Sequence, residues 1–336
     1  MYSPKSVASQ SAVAKFRKEQ TGDYSRDIAQ RATNSASALL LVAYNRPDLV
    51  AGTLPLLRSL HEGPVYLACD GPNLEKPGDT EQVMQVQRLM ESFSAAGAKH
   101  LLFQSKNLGP RDGVLAAIDW FFEHESEGVI VEDDALPSGD FLNLATEFLE
   151  FHRDNKRVWG LGGFNPTGIS LGDSTYGFIR FAMMAGAWAS WSDRWFSHDR
   201  SLHRYSEARA QGMKLWPSRH LFHGLDWHLK SALRRPVSFW DYQLSWSVAA
   251  SGGVWAITNA NLAVNRGFRA DATHGKKDPW PAARLESISG VSHPDGLSVD
   301  VTAERLFLQR HLRVLRPLWL NYLRNGVRAL KAKISR

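Results

Sequence analysis

At 336 residues with 43% apolar content, the chain can bury the core of one large α/β domain or two small ones, and the absence of any apolar run of about 18 residues predicts no membrane span. Its single cysteine, Cys69, excludes a disulfide framework and a cysteine-based zinc site and suits a reducing cytoplasm. The net charge of +6 is unevenly placed: residues 304–336 hold nine Lys/Arg and one acid, and the remainder holds 31 Lys/Arg and 33 acids. A near-neutral body argues against nucleic-acid binding and assigns the basicity to a terminal segment with an anionic partner.

Residues 1–36 are polar, Ser/Ala-rich and weakly periodic, and read as a loose or helical leader. They lack the apolar h-region of a secretory signal, so none is expected. Ala38–Tyr44 (ALLLVAY) predicts a first buried strand, broken by Asn45-Arg46-Pro47, with Pro47 in the first turn of a helix reaching Leu60. Val65–Cys69 predicts a second strand ending at the turn Asp70-Gly71-Pro72-Asn73. A helix over Thr80–Ala96, a strand over His100–Gln104, a loop over Ser105–Arg111 and a helix capped by Asp112 and running to Glu123 follow. With Val129–Val131 the strand–helix alternation has occurred four times, which predicts a mostly parallel, doubly wound sheet.

After Asp134 the pattern loosens. Ser138–Arg153 predicts a helix, Val158–Phe164 a strand and 165–180 a Gly-rich loop. Phe181–Phe196 is dense in aromatics, Arg200–Gln211 and Leu221–Leu233 read as helical, Phe239–Trp246 carries Trp240, Asp241 and Trp246, and Asn259–His274 is polar and irregular. No internal repeat is visible. No composition break divides the body, so one domain is expected over 37–300, with halves 37–165 and 166–300.

The most informative stretch is Gly128–Asp134, GVIVEDD. A buried strand accepts Val129-Ile130-Val131 but not Glu132, Asp133 and Asp134, so the acids must sit where the strand leaves the core. Adjacent carboxylates repel unless something positive joins them, and ligands of open α/β sheets bind at the carboxyl ends of strands. The stretch alone leaves two readings: a divalent cation holding a phosphate-bearing ligand, or a solvated acidic turn.

Five stretches in order carry a resemblance over about residues 38–275: LVAYNRPDL, YLACDGPN, KNLGPRDGVLAAIDWFF, GVIVEDDALPSGDFL, and GAWASWSDRW followed by FWDYQ and DATHG. Together they resemble GT-A nucleotide-sugar glycosyltransferases, above all inverting N-acetylglucosaminyltransferases and bacterial family 2 enzymes. The resemblance implies a GT-A fold, a UDP-sugar donor, a glycan or lipid-linked acceptor and a Mn²⁺ or Mg²⁺ ion. It implies that Arg46 and Asp70 meet the uridine, Asp70 accepting from uracil N3–H. Arg111 would meet the diphosphate, where a planar fork suits phosphate oxygens. Asp134 would be the protein ligand of the metal, Asp133 would support the ribose or the metal's waters, and Glu132 would bond a donor-sugar hydroxyl. His274 would approach the metal or diphosphate from a closing loop, although Asp271-Ala272-Thr273 before it and Lys276-Lys277 after it depart from the pattern.

Inversion needs a base opposite the leaving group, and Asp226 and Asp241 compete for that role. The resembled enzymes carry the base in a Trp-Asp segment shortly before a His-Gly, which favours Asp241 in Trp240-Asp241. Among the tryptophans, Trp188 and Trp240 are expected to stack on sugar and the rest to pack the core.

The segment 301–336 predicts a basic amphipathic helix, kinked at Pro317, with Leu308, Leu312, Leu315, Trp319, Leu323, Leu330 and Ile334 on one side. It fits an anionic membrane surface, a partner helix or the chain's own core. The combined expectation is a cytoplasmic glycosyltransferase, peripheral on the inner face of a membrane. The rivals are a silent nucleotide-sugar or glycan binder and a sugar nucleotidyltransferase. The latter wants a Gly-rich basic loop after the first strand that AYNRPDL lacks.

Overall fold

The computed structural model describes residues 37–184, 186–216, 218–233, 240–267 and 284–312, together with Trp319, Leu320, Leu323 and Val327. The leader, His274 and most of the basic terminal segment lie outside the described residues.

The first half follows its hydrophobic pattern closely. Strands β1 (Ala38–Ala43), β2 (Val65–Cys69), β3 (Lys99–Phe103) and β4 (Glu127–Glu132) alternate with helices α1 (Pro47–Leu60), α2 (Asp79–Ser92) and α3 (Gly109–His124). Next come β5 (Ala135–Pro137), α4 (Gly139–His152), β6 (Val158–Gly162), β7 (Tyr176–Ile179), β8 (Ala187–Trp191) and the short α5 (Ser192–Ser197). The chain continues through α6 (Tyr205–Leu215), α7 (Arg219–Leu233), α8 (Asp241–Ser251), β9 (Val254–Thr258), β10 (Ala263–Asn265) and α9 (Val301–Leu306). Eight strands form one sheet in the order β3-β2-β1-β4-β8-β6-β9-β7, and β10 pairs with β5 in a separate antiparallel ribbon.

The sheet is mixed but mostly parallel. β1 pairs parallel with β2 and β4, and β6 parallel with β9. β8 runs antiparallel to both β4 and β6, and β7 antiparallel to β9. Successive strand residues point to opposite faces, and the core divides accordingly. Leu39, Leu41, Val129 and Val131 pack with Val50 and Leu54 of α1, Val86 of α2 and Phe148 of α4. Leu40, Val42 and Ile130 pack with Ile118 and Phe121 of α3, Phe222 of α7 and Trp246 of α8. Helices therefore cover both faces, which is why β1, β2 and β4 read as unbroken apolar runs.

Three local expectations are corrected. The loop predicted over 165–180 contains β7, whose Tyr176 and Phe178 are buried; the surrounding glycines hid a four-residue strand. The helix expected to begin at Asp112 begins at Gly109, with Leu108 rather than Asp112 at its cap. The helix expected over Thr80–Ala96 spans Asp79–Ser92.

The terminal segment expected from residue 301 divides in two. Residues 301–312 belong to the body. Glu304 is fully buried and takes three hydrogen bonds from Arg180, from its backbone N at 2.9 Å, Nε at 2.8 Å and Nη2 at 2.5 Å. Arg180 in turn lies over the Trp216 ring. Phe307 stacks on Phe181 with centroids 5.1 Å apart, and Leu308 is buried. None of the described helices is long and apolar enough to cross a membrane.

Breaking a buried ion pair by removing one partner costs about 3–5 kcal/mol because the other charge is left uncompensated. Urea unfolding should therefore show Glu304→Ala losing about that much, while deletion of 313–336 leaves the midpoint nearly unchanged. Equal losses from the two would place the stabilising contacts beyond residue 312.

Candidate functional site

Glycine and polar residues interrupt the chain wherever β1, β2 and β4 end, so their carboxyl ends form one polar edge. β1 delivers Asn45 and Arg46, β2 delivers Asp70, and β4 delivers Glu132, Asp133 and Asp134. Arg46 Nη1 lies 2.8 Å from Asp134 Oδ2 and 3.3 Å from Asp133 Oδ1. Asp134 Oδ1 also accepts from Asn265 Nδ2 at 3.1 Å, and the Asp134 carbonyl accepts from the Arg266 backbone N at 2.6 Å. Gly267 follows, and a Cβ there would stand 2.0 Å from Asp134 Oδ2, so only glycine lets that backbone pass the carboxylate.

One guanidinium between two carboxylates, with a third acid adjacent, leaves the cluster under-neutralised. At an effective dielectric of about 20, a like-charge pair 4 Å apart costs about 4 kcal/mol. The acids respond by holding protons. Burial first, then Asp134, Asp133 and Asp241, push the Glu132 carboxyl up to about 8, against the pull of Arg46. Burial and Asp134 push Asp133 up to about 7, opposed by Arg46 and by backbone donors.

Asp241 is close enough to Glu132 to raise it. Its own carboxyl is pushed up to about 6 by burial, moderated by the backbone N–H groups of Asp241 and Tyr242 at the start of α8. Asp226 is differently placed. It is buried and accepts from Tyr205 Oη, from Arg209 Nε at 3.0 Å and from Lys230 Nζ at 3.1 Å. These partners tie α6 to α7 and occupy the carboxylate that competed with Asp241.

Asp70 organises a second part of the edge. Oδ1 accepts from Gly71 N at 2.8 Å and Leu108 N at 2.9 Å, and Oδ2 from Gly109 N and Asn107 Nδ2, both at 3.0 Å. It supplies the cap that α3 lacks from its own sequence. Burial raises its carboxyl above the ordinary range, and the N–H groups of Leu108, Gly71 and Gly109 partly reverse this. Gly113 lets the helix approach, since a Cβ there would meet Asp70 Oδ2 at 2.9 Å. Arg111 stands in the first turn of α3, with its side chain 36% exposed and its Nε buried without a partner among the described residues.

The tryptophans sort by depth. Trp188 is 1% exposed, paired in register with Ile130 and packed 6.0 Å from both Trp240 and Trp255. That is a core position, with almost no surface to offer a sugar ring. Trp240, 8% exposed, directly precedes Asp241 and lies nearer the surface. Trp191, Trp195 and Trp246 are buried, as expected.

The structure thus brings Arg46, Glu132, Asp133, Asp134 and Asp241 together, with Trp240 beside Asp241, and sets Asp70 and Arg111 at the neighbouring strand end. His274 lies outside the described residues. Sequence reasoning missed Asn265 and Arg266. Arg266 Nη2 donates to Thr53 Oγ1 at 2.7 Å, and burial lowers its guanidinium pKa while Asp134, Asp133 and Asp48 raise it. It also missed Asp79, which binds Tyr44 Oη and Asn45 Nδ2, both at 2.5 Å, and fixes the chain leaving β1. The Asn-Arg-Gly signal at 265–267 was present, but only the β10–β5 pairing carries it to Asp134.

Among the described residues, no group of three or more His, Cys, Asp or Glu side chains is arranged to hold a metal ion. A cationic nitrogen, Arg46 Nη1, bridges one carboxylate oxygen of Asp133 and one of Asp134. No family model matches the chain, and no curated protein is significantly similar to it.

A carboxyl with a raised folded pKa holds its proton in the native state but loses it on unfolding, so stability falls as pH rises towards the folded pKa. The buried histidines His152 and His198, lowered by burial to about 4, act oppositely but only below their unfolded value near 6.5. Between about pH 6.5 and 8 the acids remain. Thermal unfolding without divalent ions should therefore show Tm falling across that window, and Glu132→Gln should flatten the fall and raise Tm at pH 8. A steeper fall in the variant would contradict this electrostatic assignment.

Proposed function

We propose that the protein is a metal-dependent inverting glycosyltransferase that moves a sugar from a UDP-sugar to a hydroxyl of a glycan or lipid-linked glycan. The observation that carries the reading is the pair of carboxylate environments. Glu132, Asp133 and Asp134 cluster around a cation position, and Asp241, held by a different element with its carboxyl near 6, is near enough to feel them. The sheet order, with β8 reversed beside β4 and the β10–β5 ribbon beside the acids, fits the GT-A fold that the sequence resembles. The network around Asp226 further favours Asp241 as the base.

In this reading Asp241 accepts the proton of the acceptor hydroxyl as its oxygen forms the new bond to the anomeric carbon. The bond from that carbon to the diphosphate oxygen breaks in line, and UDP leaves with the electron pair. A group near 6 is mostly ionised at neutral pH yet basic enough to take a proton. Mn²⁺ or Mg²⁺ held by Asp134 would neutralise charge on the departing diphosphate. Arg46 would turn from the acids to the uridine diphosphate, and Arg111 would add a second guanidinium from the first turn of α3. Glu132 would bond a donor-sugar hydroxyl, and Asp133 would support the ribose. Asp70, already bound to four donors, would serve the uracil chiefly by shaping the loop from Asn107 to Gly109. Trp240 would offer an apolar ring to the sugar.

A ligand that binds only the folded state at a hundred times its Kd adds about 2.7 kcal/mol of stability. UDP-sugars with Mn²⁺ should raise Tm in the wild type and not in Asp134→Ala. Asp241→Asn should keep that shift and lose about 10²–10⁴-fold in UDP release with acceptor present. Full turnover by Asp241→Asn would remove it as the base, and no shift with any UDP-sugar would remove the donor class.

A further inference from the structure

With Glu304 sealed against Arg180, the one acid of the terminal segment is lost to the surface. Residues 313–336 then carry seven Lys/Arg and no Asp or Glu. Within them Trp319, Leu320, Leu323 and Val327 are helical. Trp319 and Leu323 are each 57% exposed and Val327 54%. Their spacing of four residues puts the three on one side of a helix. The other exposed large apolar side chains, such as Leu74, Met84 and Phe151, are scattered through the body.

A bilayer surface or another helix could cover such a stripe, and charge chooses between them. Seven cations in a segment without an acid would repel a second copy of the same segment but are attracted to acidic headgroups, while Trp favours the boundary between headgroups and acyl chains. The geometry of the root adds an orientation. Arg310 Nη1 donates to the Thr167 carbonyl at 2.7 Å, in the loop that follows β6. β6 runs in the same direction as β4, so the segment starts at the end of the sheet that carries the acids.

We propose that the segment 313–336 docks the protein on an anionic bilayer surface, with Trp319, Leu323 and Val327 turned to the acyl chains and the segment's seven Lys/Arg supplying the attraction to the headgroups. This goes beyond the proposed reaction and is tested without any sugar nucleotide.

The test is co-sedimentation of the full chain with phosphatidylcholine vesicles, with and without roughly a third phosphatidylglycerol, at low salt and at about 0.5 M NaCl. Binding is expected only with phosphatidylglycerol and should weaken at high salt. The triple substitution Trp319→Ser, Leu323→Ser, Val327→Ser, at three exposed positions, should lose at least about tenfold in vesicle affinity at unchanged Tm, and the pair Arg324→Glu, Arg328→Glu should lose a similar factor. Sedimentation velocity without lipid should show no association that the triple substitution removes. No vesicle binding, equal binding to neutral vesicles, variants that bind like the wild type, or lipid-free association abolished by the triple substitution would each overturn the proposal.

Discussion

The structure depends on one electrostatic problem, the gathering of three consecutive acids at the end of a fully buried strand. β4 is apolar because helices cover both its faces, and it must release its acids as soon as it leaves the core. Arg46 answers part of that charge from the end of the neighbouring strand β1, reaching both Asp133 and Asp134. Arg266, brought back by the β10–β5 ribbon, adds a second half-buried cation. What remains is met by retained protons on Glu132 and Asp133. In the proposed function, a divalent cation would take the place of those protons and of the arginine.

The rest of the edge is arranged so that the charge stays in place. Asp79 ties Tyr44 and Asn45 after β1, and Asp70 ties the loop before α3 after β2. Each is a buried or half-buried carboxylate spent on a neighbouring loop, as Asp226 is spent on Arg209 and Lys230. Asp241 has no such charged partner among the described residues: its carboxyl is moderated by the backbone at the start of α8. The contrast between carboxylates bound into loops and one held free of an arginine or lysine separates architecture from candidate chemistry.

How much of this the sequence disclosed varies with the range of the interaction. The strands of the first half were legible because burial on both faces writes continuous apolar runs such as ALLLVA and GVIV. The acid cluster was legible for the same reason, as the point where such a run stops. β7 was not, because four buried residues among glycines leave no period to read. Asp70's commitment to Asn107, Leu108 and Gly109, and the approach of Asn265 and Arg266 to Asp134, arise between positions 37 to 131 residues apart, and no local pattern carries them. Trp188 and Trp240 look alike in sequence. Only the pairing of Trp188 with Ile130 in mid-sheet shows which lies deeper. The basic segment misled at its start, where the helical wheel could not distinguish an apolar side facing the core at Phe307 and Leu308 from one facing outward at Trp319 and Leu323.

In the proposed function, the acid cluster would exchange Arg46 and bound protons for a divalent cation when a nucleoside diphosphate takes the arginine away. Electron paramagnetic resonance of free Mn²⁺ tests it directly. The account predicts that the protein alone leaves most of the Mn²⁺ signal, that adding UDP quenches it stoichiometrically, and that Arg46→Ala quenches more than the wild type before UDP is added. A signal unaffected by UDP in the wild type would contradict it.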